Sequence, residues 1–369
     1  MHVGMTTFFQ NLSGRPDAEV YAQELALADN AEAMGFDSIW SAEHHFDGYT
    51  MCPNVIQFLT YMAARTKRIK LGSMVVVIPW HDPVRIAEEI SVLDHMSGGR
   101  MVLGIGRGLG RIEFERFRLD MNESRERFIE YAEALLGGLE TGHIEYNGRY
   151  LKQPRAEIRP FPIKSFRGRT YAASVSPQSM DIMCRLGIGL LIIAQKPWET
   201  TVEELATYRQ RFREIQGREP PKPLIASFVA VHENEAVARE MFNTYIRGYS
   251  RSALEHYEFH NEGLADIRGY EYYGRLAQNI KRHGIDAFVN FLAELQVWGT
   301  PDQVFEKMRH YHELADTAGC MVSFSFGGMP HEMARANQKL FAEKVLPRLK
   351  TIPVAEDVGG GQPLSIAAQ

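Results

Sequence analysis

The chain has 369 residues, 45% hydrophobic and 24% charged, which is ordinary for a globular protein. Its formal net charge of −5, with Lys and Arg scattered along it, offers no basic stripe for nucleic acid or an anionic membrane. Cys52, Cys184 and Cys320 are far apart, odd in number and without a CxxC pair, which argues against a disulfide framework and for a reducing cytoplasm. The start MHVGMTTFF lacks the basic lead and long apolar core of a signal peptide. The densest apolar run, LGIGLLIIA at 186–194, is too short to span a bilayer.

In chain order, short apolar β-branched runs alternate with longer amphipathic segments. Residues 2–9 read as a strand and 16–34 as a helix, with Val20, Leu25, Leu27, Ala31 and Met34 at helical spacing and Gly35 as its C-cap. Strand 37–41, helix 54–65, strand 69–78, helix 83–96 and strand 101–105 follow. Further strands are expected at 170–174, 189–194, 224–231 and 320–326, with helices at 177–186, 200–216, 300–318 and 330–349. These are eight strands, apolar throughout and each followed by a helix, as in a parallel sheet covered on both faces. The predicted fold class is therefore α/β, a TIM (β/α)8 barrel, with an open doubly wound sheet as the alternative.

Two stretches leave the repeat. Residues 142–169, after strand 4, are rich in Gly, Pro and charge. Residues 233–298, after strand 7, hold two helical patches around aromatic segments such as YEFH and GYEYYG, long enough for a lid or a subunit contact. Residues 1–350 read as a single domain and 351–369, with GGGQP, as a loosely ordered tail.

In a parallel barrel the chemistry gathers where strands end. Glu43, His44 and His45 in SAEHHF therefore share a rim with residues 106–110, 174–179, Gln195 and 327–328. The histidine pair reads equally as a surface turn, with one ring capping a carbonyl. No metal is expected, because neighbours on an extended chain point opposite ways and EHH is not the HExxH helix. Acid–base work by one histidine, oriented by Glu43 or His45, is the sharper reading.

GIGRGLG at 104–110 only superficially resembles a dinucleotide fingerprint: one GxGxxG frame fails at Leu109 and the other at Arg111. Alternate glycines still let backbone approach a flat ligand or a phosphate. Arg107 and Arg125 near one rim suit a phosphate dianion, although either alone reads as solvated charge. Asn122 is a candidate helix N-cap. In SVSPQSMD, Ser176 is a natural N-cap before Pro177, and with Gln178 and Ser179 in the first turn it makes an anion site; capping alone also explains it. GTPDQVFEK starts a structural helix capped by Thr300.

AEHHF, then RTKRIKLGSMVVVIPWHDPVRIAEEISVLDHMSGGRMVLGIGRG, DMNESR, YAASVSPQS and GTPDQ, together resemble the luciferase-like flavin-dependent monooxygenases, bacterial luciferase α chains in particular. The likeness is dense from 36 to 125 and continuous afterwards. It implies a TIM-type barrel that binds reduced FMN and reacts it with oxygen. By position, His44 matches the family's catalytic histidine, and Glu43 and His45 flank it and would set its tautomer. Arg107 and Arg125 match the arginines that hold the flavin phosphate. Ser176 and Ser179 match hydroxyl contributors after the fifth strand, whereas Val175 replaces a glutamate, so only its backbone can serve. Met74 and Val75 match the strand-three peptide, often cis, that supports the isoalloxazine ring. Gly106 takes the place of the luciferases' reactive cysteine, a departure that points away from light emission and aldehyde specificity.

The activity so implied is that of a two-component monooxygenase. A separate NAD(P)H:flavin reductase supplies reduced FMN, and one atom of O2 enters a small apolar organic substrate in a pocket closed by residues 257–273. A homodimer through helices 54–65 and 83–96 is expected. Two alternatives carry over: a deazaflavin-dependent oxidoreductase of the same superfamily, and a non-catalytic flavin-binding partner subunit. The latter tends to lose the residues matched by His44, Arg107 and Arg125.

Overall fold

The computed structural model describes residues 1–173, 177–355 and 358–364. Eight strands form the barrel: β1 (His2–Thr7), β2 (Ser38–Ser41), β3 (Lys70–Ser73), β4 (Met101–Gly106), β5 (Thr170–Ala173), β6 (Gly189–Ile193), β7 (Leu224–Val231) and β8 (Gly319–Ser323). Each pairs in parallel with the next, and β8 pairs back onto β1, so the sheet has no edge. This is the expected TIM barrel rather than the open sheet.

Local chemistry sets the helices. Asn54 caps α2 (Val55–Arg65) by accepting from Gln57 N, and Asp82 caps α3 (Pro83–Ser97) by accepting from Val84 N and Arg85 N; α1 is Asp17–Met34, ended by Gly35 at φ 91°. Beyond β4 come α4 (Arg111–Arg116) and α5 (Ser124–Thr141), and beyond β5 and β6 come α6 (Pro177–Leu186) and α7 (Trp198–Gln216). Asn122 is not the cap of α5. Asp120 accepts from its backbone N–H, and Asn122 Oδ1 accepts from Arg268 N at 3.0 Å.

The strand expected at 69–78 is interrupted. β3 stops at Ser73, the Met74–Val75 peptide is cis, and Val76–Val77 resumes pairing opposite Ile105 and Gly106 before one 3-10 turn, Ile78–Trp80. The 142–169 excursion is an antiparallel hairpin of His143–Asn147 and Lys152–Glu157. The 233–298 excursion is far more helical than two patches. It holds α8 (Glu235–Met241), a π-helical turn, α9 (Arg247–His256), a 3-10 turn, α10 (Glu271–His283) and α11 (Ile285–Glu294), then a short strand, Val297–Gly299, beside β7. It carries its own apolar cluster, which includes Phe259, Leu264, Tyr270, Tyr273, Ile280 and Phe288. After it, α12 (Pro301–Ala315) starts in a capping box of Thr300 and Gln303.

Inside the barrel, Trp40 and Tyr171 are fully buried. They fit because glycines face them: a Cβ on Gly72 would lie 2.2 Å from the Trp40 ring, and one on Gly189 would lie 2.5 Å from Tyr171. Their cluster also contains Val358, so the tail is not loose throughout. Residues 358–364 pack at the N-terminal end of the barrel, where Ser165 N donates to Gln362 O at 2.8 Å.

At the same end Arg169 and Asp94, both fully buried, pair at 2.7 Å. Arg169 also donates to the carbonyls of Ser165 and Met101, and Asp94 Oδ2 accepts from Ile163 N at 3.0 Å. This pair ties the end of α3 to the loop that enters β5. Asp94→Ala strands a buried guanidinium and is expected to lower unfolding free energy by about 3–5 kcal/mol, whereas Asp94→Leu with Arg169→Met recovers most of that loss. Denaturant titration of the single and double variants checks this, and equal losses would contradict it.

Candidate active site

The cleft over the C-terminal ends of the strands is lined by His44, Glu43, Met74, Val75, Gly106, Arg107, Arg125 and Ser179. His45 is not among the lining residues, and Val175 and Ser176 lie outside the described residues.

His44, on the loop after β2, caps no carbonyl. Its Nδ1 lies 3.1 Å from Glu113 Oε1 and 3.1 Å from His256 Nε2, and its Nε2 lies 3.0 Å from the Tyr257 hydroxyl. Glu113 comes from α4 and is fully buried, whereas His256 and Tyr257 come from the end of α9 in the second excursion. His256 in turn holds Asp47 Oδ2 with Nδ1 at 2.7 Å and stacks on Tyr49, with centroids 4.3 Å apart. Burial pushes the phenols of Tyr49 and Tyr257 well above their ordinary value, so both remain neutral O–H groups. Donor atoms of His44, Glu113 and His256 fall within 4.8 Å of one another, a spacing that also suits a cation; the mutual hydrogen bonds account for it without one.

The residues expected to orient His44 do something else. Glu43 accepts from His45 Nε2 at 3.0 Å, from His81 Nε2 at 2.7 Å and from Val77 N at 2.8 Å. Burial alone would raise its carboxyl, but these bonds outweigh burial and hold it below its ordinary value. Glu43 thus anchors the strand segment that follows the Met74–Val75 peptide. His45 packs against Phe117 and Trp80, with centroids 4.7 and 5.4 Å away, and only its backbone N–H reaches the network, donating to Glu113 at 2.9 Å. Adjacent side chains on an extended loop diverge, which is why His44 and His45 serve different clusters.

Gly106 has a steric reason here. A Cβ at that position would sit 2.4 Å from Val75 Cγ2, so even a cysteine would displace Val75.

Arg107 and Arg125 meet as expected, but their company was not legible. Each donates to the carbonyl of Gly269, at 3.0 and 3.2 Å, and Arg107 lies 3.9 Å over the Tyr270 ring. Neither forms an ion pair among the described residues. Arg107 Nη1 and Arg125 Nε are buried without a partner. Burial and then the neighbouring Arg107 charge hold the Arg125 guanidinium below its ordinary value, an effect that the nearby Glu271 and Glu126 offset only in part. The Tyr270 hydroxyl donates to Gly108 O at 2.8 Å and seats the excursion on the GIGRGLG loop. A bidentate Arg111–Glu258 pair, with both bonds 2.8 Å, adds a second fastening.

Glu113, Asp47, His256, Tyr257, Gly269 and Tyr270 were not singled out as site residues from sequence. The only signal for the last three was their place in the aromatic segment 257–273, read as a lid, and His256 lies just outside it.

The family profile of the luciferase-like monooxygenases matches residues 1–318. The alkanal monooxygenase alpha chain of the Kryptophanaron alfredi symbiont is 24% identical over 340 residues, covering 90% of this chain and 94% of the relative. Among solved structures, the oxygenating constituent of 3,6-diketocamphane monooxygenase from Pseudomonas putida, in complex with FMN, superposes with a TM-score of 0.73 at 18% identity. That superposition covers 95% of this chain and 98% of the other. An F420-dependent secondary alcohol dehydrogenase superposes with a TM-score of 0.71 at 13% identity, over 94% of this chain and 98% of the other. At such identities the two structures attest the fold alone. Profile and fold agree, and the chain belongs to the luciferase-like monooxygenase family.

Proposed function

We propose that this protein is the oxygenase component of a two-component, FMN-dependent monooxygenase acting on a small apolar organic substrate. The observation that carries this reading is the guanidinium pair at the cleft: two adjacent cations, a buried N–H of each unpartnered among the described residues, and the Gly269 carbonyl between them. Such a site is complementary to a phosphate dianion, and the orphaned Arg107 Nη1 and Arg125 Nε are the donors that would hold it. Reduced FMN, delivered by a separate NAD(P)H:flavin reductase, supplies when bound the two electrons needed to divide O2 between product and water.

The chain's own residues have distinct parts in this reading. Met74, Val75 and Gly106 form the floor for the flavin ring, held in position by Glu43 through Val77 N. Ser179 stands at the start of α6 on the cleft wall, and Ser176 and Val175 remain proposed contacts beside it. His44 is the acid–base group: its Nδ1 lies between Glu113 Oε1 and His256 Nε2, and its Nε2 exchanges a proton with the cleft through the Tyr257 hydroxyl. Tyr257, Tyr270 and Tyr273 cover the cleft and exclude water. Phe8, Tyr49, Phe228 and Tyr249 give the substrate side its apolar wall. Three buried free cysteines accord with a cytoplasmic setting.

Arg107→Ala is expected to weaken FMN binding about tenfold or more while changing riboflavin binding little, because a charge-assisted bond contributes roughly 1.5–3 kcal/mol. Paired titrations test this; equal losses for both ligands refute the phosphate site. The same titration with a deazaflavin cofactor separates the oxygenase from a hydride-transfer relative, and absence of binding to either cofactor would indicate a non-catalytic subunit.

His44→Ala is expected to keep FMN affinity yet lose about 10²–10⁴-fold in single-turnover rate, the usual share of general acid–base catalysis. A variant with a lower melting temperature but an unchanged rate per folded molecule would assign His44 to structure instead.

We also propose a homodimer through α2 and α3, where Tyr61 is 48% exposed and a groove runs between the two helices. Sedimentation at micromolar concentration should give twice the 41.9 kDa chain mass; a monomer would contradict it.

A further inference from the structure

We propose that Asp47 and His256 form a proton path joining His44 to solvent. The inference rests on the reading of His44 as the acid–base group. Four groups stand in series between surface and cleft. Asp47, with a side chain 37% exposed, has Oδ2 at 2.7 Å from His256 Nδ1. His256, with a side chain only 2% exposed, has Nε2 at 3.1 Å from His44 Nδ1. His44 Nε2 then meets the Tyr257 hydroxyl on the cleft wall at 3.0 Å.

The need for such a path follows from the cover. Tyr257, Tyr270 and Tyr273 line the cleft, and in the water-excluding cover proposed above for them the site exchanges protons through the protein. As the Tyr257 hydroxyl receives a proton from the cleft it passes its own to His44 Nε2, His44 Nδ1 releases its proton to His256 Nε2, and the His256 Nδ1 proton passes to Asp47 and then to water. One proton enters the chain and one leaves it. Both rings end in the other tautomer, and the reverse transfer, from solvent to cleft, restores them.

The surroundings suit this traffic. Glu113 faces both rings, with Oε1 at 3.1 Å from His44 Nδ1 and Oε2 at 3.9 Å from His256 Nε2, and Oε2 has no hydrogen-bond partner. Tyr49 stacks on His256 and meets His44 edge-on, with centroids 4.3 and 5.1 Å away, and holds the rings in place without competing for their protons. Burial raises the Asp47 carboxyl, but the bonds from His256 and Tyr49 N outweigh burial and hold it below its ordinary value. Asp47 is therefore an anion at neutral pH, and its exposed side can release a proton to water.

The test uses Asp47→Asn and His256→Ala in the full chain, with melting temperature and FMN affinity measured beside single-turnover rate. The expected result is FMN affinity near wild type, a rate lowered by about tenfold or more, and partial recovery on adding imidazole to His256→Ala, as for a displaced general acid–base group. A wild-type rate in both variants overturns the path. So does a slowed rate that no small acid or base restores, because that is the signature of lost packing. Independently of turnover, nitrogen-detected titration of the apo protein should show the His44 and His256 rings titrating as a coupled pair, with the His44 curve changed in His256→Ala. Identical His44 curves in the two proteins overturn the proposal. Should His44→Ala itself turn over normally, the acid–base reading falls first, and the apo titration still reports whether the two rings share a proton.

Discussion

Arg107 and Arg125 stand side by side, and what lies between them is a single backbone carbonyl, that of Gly269. A carbonyl dipole satisfies one hydrogen bond on each guanidinium but does not neutralise two charges. The like-charge contact therefore persists in the free protein, and with burial it holds the Arg125 guanidinium below its ordinary value. Much of the C-terminal rim is arranged around this. Gly269 adopts φ 88°, and a Cβ there would lie 2.6 Å from Arg107 Nη1, so the backbone comes close enough only as glycine. Tyr270 slides its ring under Arg107 and fastens its hydroxyl to Gly108 O.

Fixing residues 269–270 on the GIGRGLG loop fixes the rest of the excursion. Leu254 of α9 shares one apolar cluster with Tyr273 and Ile280 of α10 and Phe288 of α11, which couples α9 to the segment that follows. The end of α9 then delivers His256 and Tyr257 to the two nitrogens of His44. The barrel alone supplies His44, Glu113 and Asp47; without the excursion, the Nε2 side of His44 would open directly to solvent. Glu43, which lies one residue before His44, serves a separate task below it, where it receives two histidines and the N–H of Val77. Two buried carboxylates, Glu43 and Glu113, thus divide the rim: one holds the Val77 segment with two histidines, and the other meets the His44 ring.

Much of the fold was legible because parallel barrel strands are buried on both faces. Apolar β-branched runs then stand out against amphipathic helices, and Thr300, Pro301 and Gln303 mark a helix start by their hydrogen-bonding chemistry alone. Interruptions were not legible. SMVVVI reads as one continuous strand, yet the ladder breaks at the cis Met74–Val75 peptide and resumes at Val76–Val77, where Val77 N donates to Glu43. Likewise the GGG run suggested a loose tail, although Val358 beside it reaches the cluster beneath Trp40 and Tyr171.

The sequence by itself determined the barrel, the rim on which chemistry gathers, and the identity of His44, Arg107 and Arg125 as residues of that rim. The barrel and the places of His44 and Arg107 follow from periodicity, local capping, or position at the end of a strand, all of which act within a few residues, whereas Arg125, well past the end of β4, was matched through the family resemblance. Only the tertiary structure decided who stands beside them. Glu113 lies 69 residues from His44 and His256 lies 212 residues away, separations at which no local pattern operates. Their meeting depends on how an apolar excursion folds back over a closed sheet. For the same reason the obvious neighbour, His45, was passed over: along an extended backbone, successive side chains leave on opposite sides, and proximity in sequence separates them in space.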